Sequence, residues 1–183
     1  SQFTNFFLKK VLEVYTPKVS IRKVEELIPR ASKILRHTDV GIHNATIQSY
    51  PIETPDKLWL NLRKISRKES SKNSILLIHG LTSSSDMYIM PEHDNITNYF
   101  LDLGYTVWLY DFRMSSRLPY NLTKHEYSFD HVASYDMPLA TSLIRKEIGK
   151  DAKLNVICHC LGSVSFTMSL FAGLQTNVDS VIS

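Results

Sequence analysis

The residues best placed to do chemistry stand together in Asn155-Val156-Ile157-Cys158-His159-Cys160-Leu161-Gly162-Ser163. Apolar residues run into a nucleophilic side chain, a glycine follows two residues past it, and a helix-forming stretch, Val164 to Leu174, comes at once. That is the layout of a strand-to-helix elbow, a tight turn that lifts one side chain above a sheet. The positions two before and two after the lifted residue must be small, because strand and helix cross there at close range. Gly162 meets that requirement, while Cys158 stands where the G-x-S-x-G pattern has its first glycine. The register puts Cys160 at the tip, where the unpaired N–H groups and dipole of the helix N-terminus favour a thiolate. Ser163 is the alternative nucleophile, but it falls inside the first helical turn. The competing reading of the same nine residues is a buried strand that ends in two structural cysteines.

Other chemistries fit less well. Cys158 and Cys160 are the only two cysteines, and one intervening residue is too short for an unstrained disulfide in a strand. Cys158-His159-Cys160 is not a metal site either, since neighbouring side chains on a strand point to opposite faces. The net charge of +3 is too small to argue for nucleic acid. It is unevenly spread: residues 1–72 hold 14 Lys/Arg against 7 Asp/Glu, and the remainder 7 against 11. These charges are scattered among apolar residues, as on a solvated face. Asn44-Ala-Thr46, Asn95-Ile-Thr97 and Asn121-Leu-Thr123 have the form of glycosylation sequons, which are common by chance.

The elements that must position the elbow can be read from period and punctuation. With 183 residues, 43% of them hydrophobic, the chain can bury a real core. Residues 1–40 carry two amphipathic helical patterns, broken at Thr16-Pro17, and form a helical N-terminal extension. Its apolar stripes would cap the fold, pack on a partner or lie against a membrane surface, the last reading being the least favoured. The core then spans residues 41–183. Ala45–Ile52 and Leu58–Ile65 alternate as strands do, joined by a turn through Pro55-Asp56. Ile75–Ile78 and Tyr105–Tyr110 are continuous apolar runs, expected of strands buried on both faces. Ile96–Leu103 reads as a helix stopped by Gly104, and Phe129–Ile148 as a long helix kinked at Pro138 and closed by Gly149. Lys153–Ile157 feeds the elbow, and Val178–Ile182 begins a further strand. Buried strands alternating with helices imply an α/β sandwich around a mostly parallel sheet. Right-handed crossovers would then gather the loops after His79, Tyr110 and Cys160 at one carboxyl edge.

The order of these parts resembles the α/β-hydrolase family over about residues 45–183. The resemblance rests on Leu77-Ile-His-Gly-Leu81, Leu103-Gly-Tyr-Thr-Val-Trp108, Asp111-Phe-Arg113, Phe129-Asp130 with Tyr135-Asp-Met-Pro138, and His159-Cys-Leu-Gly162. The Gly-Tyr-x-Val-Trp and Tyr-Asp-x-Pro elements are similar to the acid-lipase branch. Leu118-Pro-Tyr-Asn121 and His-Cys-x-Gly-Ser are similar to hydrolase-like segments that accompany GMC-type flavin oxidoreductases, although the chain holds no flavin signature and no cofactor is implied. The resemblance implies a hydrolase of carboxylic esters or thioesters in which Cys160 forms an acyl-enzyme through a tetrahedral oxyanion. The oxyanion hole would be the N–H of Leu161 with that of Leu81 or Thr82, while His79, Gly80 and Gly162 shape the loops. His159 would point away from the nucleophile.

The chain departs from the family pattern in places. Cysteine replaces the usual serine, as in dienelactone-hydrolase relatives, and Met114 stands where related loops carry glycine. The family's acid and histidine follow the nucleophile in chain order, and no such residues follow Val178–Ile182 here. His93, His125 and His131 lie upstream and read as surface or loop residues. An incomplete fold is therefore expected, with activity of this chain alone in doubt. The alternative function is a catalytically incomplete, hydrolase-like module that binds a small acyl or lipid-like ligand, or a partner segment or second copy covering the sheet edge. The start of the chain has neither the basic nor the apolar region of a signal peptide, which favours a cytoplasmic setting.

Overall fold

A computed structural model describes residues 41–119, 121 and 127–183. The helices expected in residues 1–40, and His125, lie outside the described residues. Six strands form one sheet in the order β1-β2-β4-β3-β5-β6. They are β1 (Thr46–Glu53), β2 (Trp59–Ser66), β3 (Ser74–Ile78), β4 (Thr106–Asp111), β5 (Leu154–Cys158) and β6 (Ser180–Ile182). β2 is antiparallel to both neighbours, and the pairings β4–β3, β3–β5 and β5–β6 are parallel. The expected mostly parallel sheet is thus observed, with β1 and β2 adding an antiparallel side.

The two continuous apolar runs became the two central strands. Every residue of β3 and β4 is buried, and alternation along them feeds two separate core layers. Leu76, Ile78, Trp108 and Tyr110 face one layer, which Met137, Ala140, Ile144 and Phe166 complete. Ile75, Leu77, Val107 and Leu109 face the other, closed by Tyr88, Ile89 and Leu101. The first layer is covered by α2 (Met137–Ile148) and α3 (Leu161–Phe171), the second by α1 (Ile96–Asp102) and a 3₁₀ turn, Ser85–Tyr88.

The punctuation residues act as their chemistry requires. Asn95 caps α1, its side chain accepting from the Asn98 N–H at 2.9 Å. The turn between β1 and β2 closes through Thr54, which exchanges hydrogen bonds with both the N–H and the C=O of Leu58. Gly149 ends α2 at φ 85°, as expected of a C-cap glycine.

One element differs from expectation. Phe129–Ile148 is helical throughout, as expected, but its irregularity is a π-helical turn just before Pro138 rather than a kink at the proline. A one-turn helix, Phe129–His131, passes into a π-helical turn, Val132–Asp136, and α2 begins at Met137 with Pro138 in its first turn. The π turn, in which Met137 N–H reaches back five residues to Val132 O, shifts the bonding pattern just ahead of a proline that has no N–H to donate. The wider turn places Asp136 in the core, where its carboxylate meets Arg113.

Candidate active site

The parallel register brings three strand ends level. Ile78 of β3 pairs with Tyr110 of β4 on one side and Cys158 of β5 on the other. The segments that follow, His79–Thr82, Asp111–Arg113 and His159–Cys160, therefore emerge at the same carboxyl edge.

Cys160 sits between β5 and α3 with φ 53° and ψ −116°, backbone space that a residue with a Cβ enters only under strain. Such positions cost on the order of 1–3 kcal/mol and persist where the surroundings over-determine them. The surroundings here are two glycines. A Cβ on Gly162 would lie 2.5 Å from the His79 carbonyl oxygen and 2.8 Å from Ile78 Cγ2, so α3 can start this close to β3 only with hydrogen at that position. A Cβ on Gly80 would come within 2.9 Å of both Cys160 Cβ and His159 Nδ1. The loop after β3 thus lies directly against the turn. His159, expected to point away, packs its ring on the same glycine as Cys160, because the sharp turn breaks the strand alternation one residue earlier than the tip.

The thiols of the two cysteines meet opposite environments. Cys160 is exposed and Cys158 is buried. Cys158 fills the position where a glycine was expected by turning into the core layer that holds Phe166. Burial pushes its thiol up to about 12, so it stays protonated and apolar in character. Ser163 lies in the first turn of α3 and not at its tip.

The backbone donors around Cys160 are not all taken. Gly162 N–H donates to His159 O at 3.0 Å, and the N–H groups of Ser163 and Val164 donate to Cys160 O at 3.0 and 3.3 Å. The N–H groups of Leu161, Leu81 and Thr82 have no acceptor among the described residues. Thr82 itself is held at φ 56°, a second strained residue on the facing loop.

Beneath this loop lies a buried polar cluster that the sequence did not reveal. Asp111, at the end of β4, accepts from Ser85 N–H at 2.9 Å, Ser85 Oγ at 2.6 Å and Ser115 Oγ at 2.7 Å. Arg63 donates to Ser85 Oγ at 2.7 Å and to Asp86 at 3.1 Å, and Arg117 also pairs with Asp86. The His79 ring stacks on Phe112 with centroids 4.5 Å apart, and its Nδ1 lies 2.7 Å from the Gly80 carbonyl. A carbonyl can only accept, so Nδ1 carries the proton. Burial holds the His79 pKa below its ordinary value despite the pull of Asp111, whose Oδ1 is 3.8 Å from Nε2. A neutral His79 leaves two arginines balanced against two carboxylates. The one hydrogen bond of its ring among the described residues is thus to the loop after β3.

Two upstream histidines are accounted for. His93 is exposed, and His131 accepts from Ser128 N–H at 3.0 Å within the helix start. A cavity of about 890 Å³ is lined by His43, Arg67, Asn98 and Asp102, none of them near the Cys160 turn in the fold. Among the described residues, no cluster of three His, Cys, Asp or Glu side chains could hold a metal, and no helix is long and apolar enough to cross a membrane.

A strand order of β1-β2-β4-β3-β5-β6, with a strained turn between β5 and α3, defines the α/β-hydrolase fold, and comparison with solved structures agrees. A carboxyl esterase from Bacillus coagulans superposes with a TM-score of 0.62 at 12% identity, over 74% of this chain and 43% of its own. No family model matches the sequence. Among proteins of known function, the chain is similar to gastric triacylglycerol lipase of Homo sapiens, 30% identical over 130 residues. It is also similar to sterol esterase 2 of Saccharomyces cerevisiae, 23% identical over 141 residues. These matches take in 63% and 69% of this chain, which spans only 32% of the lipase and 26% of the sterol esterase.

Proposed function

We propose that the chain is the nucleophile-bearing part of an esterase or lipase-type hydrolase, with Cys160 as the residue acylated. One observation carries this reading: an exposed residue, Cys160, on a strained strand-to-helix turn that packs on the loop after β3, with the N–H groups of Leu161, Leu81 and Thr82 lacking acceptors among the described residues. The similarity to a triacylglycerol lipase and a sterol esterase supports an ester of small acyl or lipid-like character as substrate. In the reaction, Cys160 Sγ bonds to the acyl carbon and the carbonyl oxygen takes up negative charge, which the N–H of Leu161 and that of Leu81 or Thr82 stabilise. Collapse expels the alcohol, or the thiol of a thioester, which takes a proton. Water then attacks the thioester on Cys160, releases the acid and restores the thiol. The thiol proton and the leaving group's proton pass through a base, and among the described residues no hydrogen bond joins a base to Cys160 Sγ.

The test is therefore the first half-reaction. The chain is incubated with p-nitrophenyl butyrate while p-nitrophenol release and intact mass are followed. One butyryl group per chain is expected on wild type and on Cys158→Ala, and none on Cys160→Ala. Butyrylation that survives in Cys160→Ala sinks the assignment.

A second reading, a hydrolase-like binding module, is favoured by one observation: no histidine of the described residues is hydrogen-bonded to the Cys160 thiol. Absence of acylation, together with thermal stabilisation by oleate, would select it.

A further inference from the structure

The amides of Leu81 and Thr82 sit on a loop whose near end, Gly80, is held by His79 and whose far end is tied to other parts of the chain. Two anchors reach it from the segment after β4. Ser116 N–H donates to Ser83 O at 2.9 Å. The Asp111 carboxylate takes both the N–H and the hydroxyl of Ser85, at 2.9 and 2.6 Å, and is itself fully buried. Ser85 Oγ is held from its other side by Arg63 at 2.7 Å. Thr82, at φ 56°, lies between Gly80, which is packed on Cys160, and these anchors. A strained residue between two fixed points keeps its N–H direction only while both points stay fixed.

We propose that Ser85 and Asp111 are positioning residues for ester cleavage: they hold the Leu81–Thr82 amides toward the oxygen that becomes negative, without touching the substrate. This deepens the reading of Cys160 as the acylated residue and rests on it. The buried charges nearby, Arg63, Asp86 and Arg117, together with His79, set the surroundings of the carboxylate but do not reach the loop amides.

Two reactions at the same sulfur separate positioning from mere support. Acylation by p-nitrophenyl butyrate builds an oxyanion, whereas alkylation by iodoacetamide displaces iodide and builds none. Both rates are measured by mass spectrometry on the full chain, for wild type, Ser85→Ala, Asp111→Asn and Ser115→Ala. Ser115 bonds the same carboxylate but is not part of the loop. The expected result is a fall in acylation of about ten-fold or more in Ser85→Ala and Asp111→Asn, since an oxyanion donor is typically worth 10²–10³ in rate. Alkylation should stay within about two-fold in both, and Ser115→Ala should keep the wild-type ratio of the two rates. If Asp111→Asn does not fold, Ser85→Ala decides alone. Equal falls in both reactions, an unchanged ratio in Ser85→Ala, or the same loss in Ser115→Ala overturns the inference while leaving Cys160 assigned. A wild-type chain that alkylates but never acylates overturns the assignment of Cys160 and this inference with it.

Discussion

At the scale of single residues, the two cysteines are a test of environment against chemistry. They lie two positions apart in sequence, yet one is exposed at a strained turn and the other is sunk in the core with its thiol pushed up to about 12. Iodoacetamide at pH 8 should therefore modify one cysteine in the folded chain and two in denaturant, and peptide mapping should place the native adduct on Cys160. Rapid native modification of Cys158 would contradict the burial. The glycine two residues after Cys160 invites a sharper test. Gly162→Ala would drive a methyl into the His79 carbonyl, which is backbone and cannot rotate away. A loss of at least about 1–3 kcal/mol in urea unfolding is expected, and a loss under half of that would show that α3 can slide off β3.

At the scale of elements, the carboxyl edge is held by ionic contacts between segments far apart in sequence. Arg113, fully buried, donates to Asp136 at the end of the π-helical turn and to Asp56 in the β1–β2 turn, at 2.7 Å in each case. Burial alone would raise the Asp56 pKa, but the hydrogen bonds from Arg113 outweigh it and lower the value from 3.8 to about 2. A carboxyl depressed on folding contributes stability above its unfolded pKa and loses it as pH falls through the folded one. Asp56→Asn should thus lower the melting temperature at pH 6, and the gap to wild type should close between about pH 4 and pH 2. A gap that stays constant over that range would mean that Asp56 acts through packing or turn geometry instead. The same arginine explains why the helix expected over Phe129–Ile148 is interrupted. The π-helical turn carries Asp136 inward to the face of the buried guanidinium that Asp56 does not occupy, so both of its sides meet a carboxylate.

At the scale of the whole molecule, the last elements present apolar surface outward. Phe171 is 89% exposed, Ile182 63% and Val164 50%, on α3 and on the edge strand β6. We propose that a second copy of the chain covers these exposed side chains. Phe171→Lys with Ile182→Lys should reduce concentration-dependent association in analytical ultracentrifugation and leave the melting temperature within about 2 °C. A large drop in melting temperature would show that these side chains already support the fold.

How far sequence reaches can be seen from particular residues. The buried runs that became β3 and β4, the alternating pair that became β1 and β2, and the glycines at 104, 149 and 162 are local signals, and local signals survive in a linear reading. The strand–turn–helix around Cys160 was legible for the same reason, since six consecutive residues contain both the apolar approach and the glycine that allows the crossing. Ser85, in a serine-rich bend, and Asp111, at the end of an apolar run, gave no such signal. Their meeting is 26 residues apart in sequence, and it depends on β4 inserting between β2 and β3 so that its end lies under the loop after β3. The sequence by itself determined which segments are strands, which turn is sharp and which side chain stands on it, because backbone preference and burial period act over a few residues. Only the tertiary structure decided what holds the facing loop, how Cys158 fills the glycine position and where the arginines find their counter-charges, because those outcomes depend on distances that no spacing along the chain encodes.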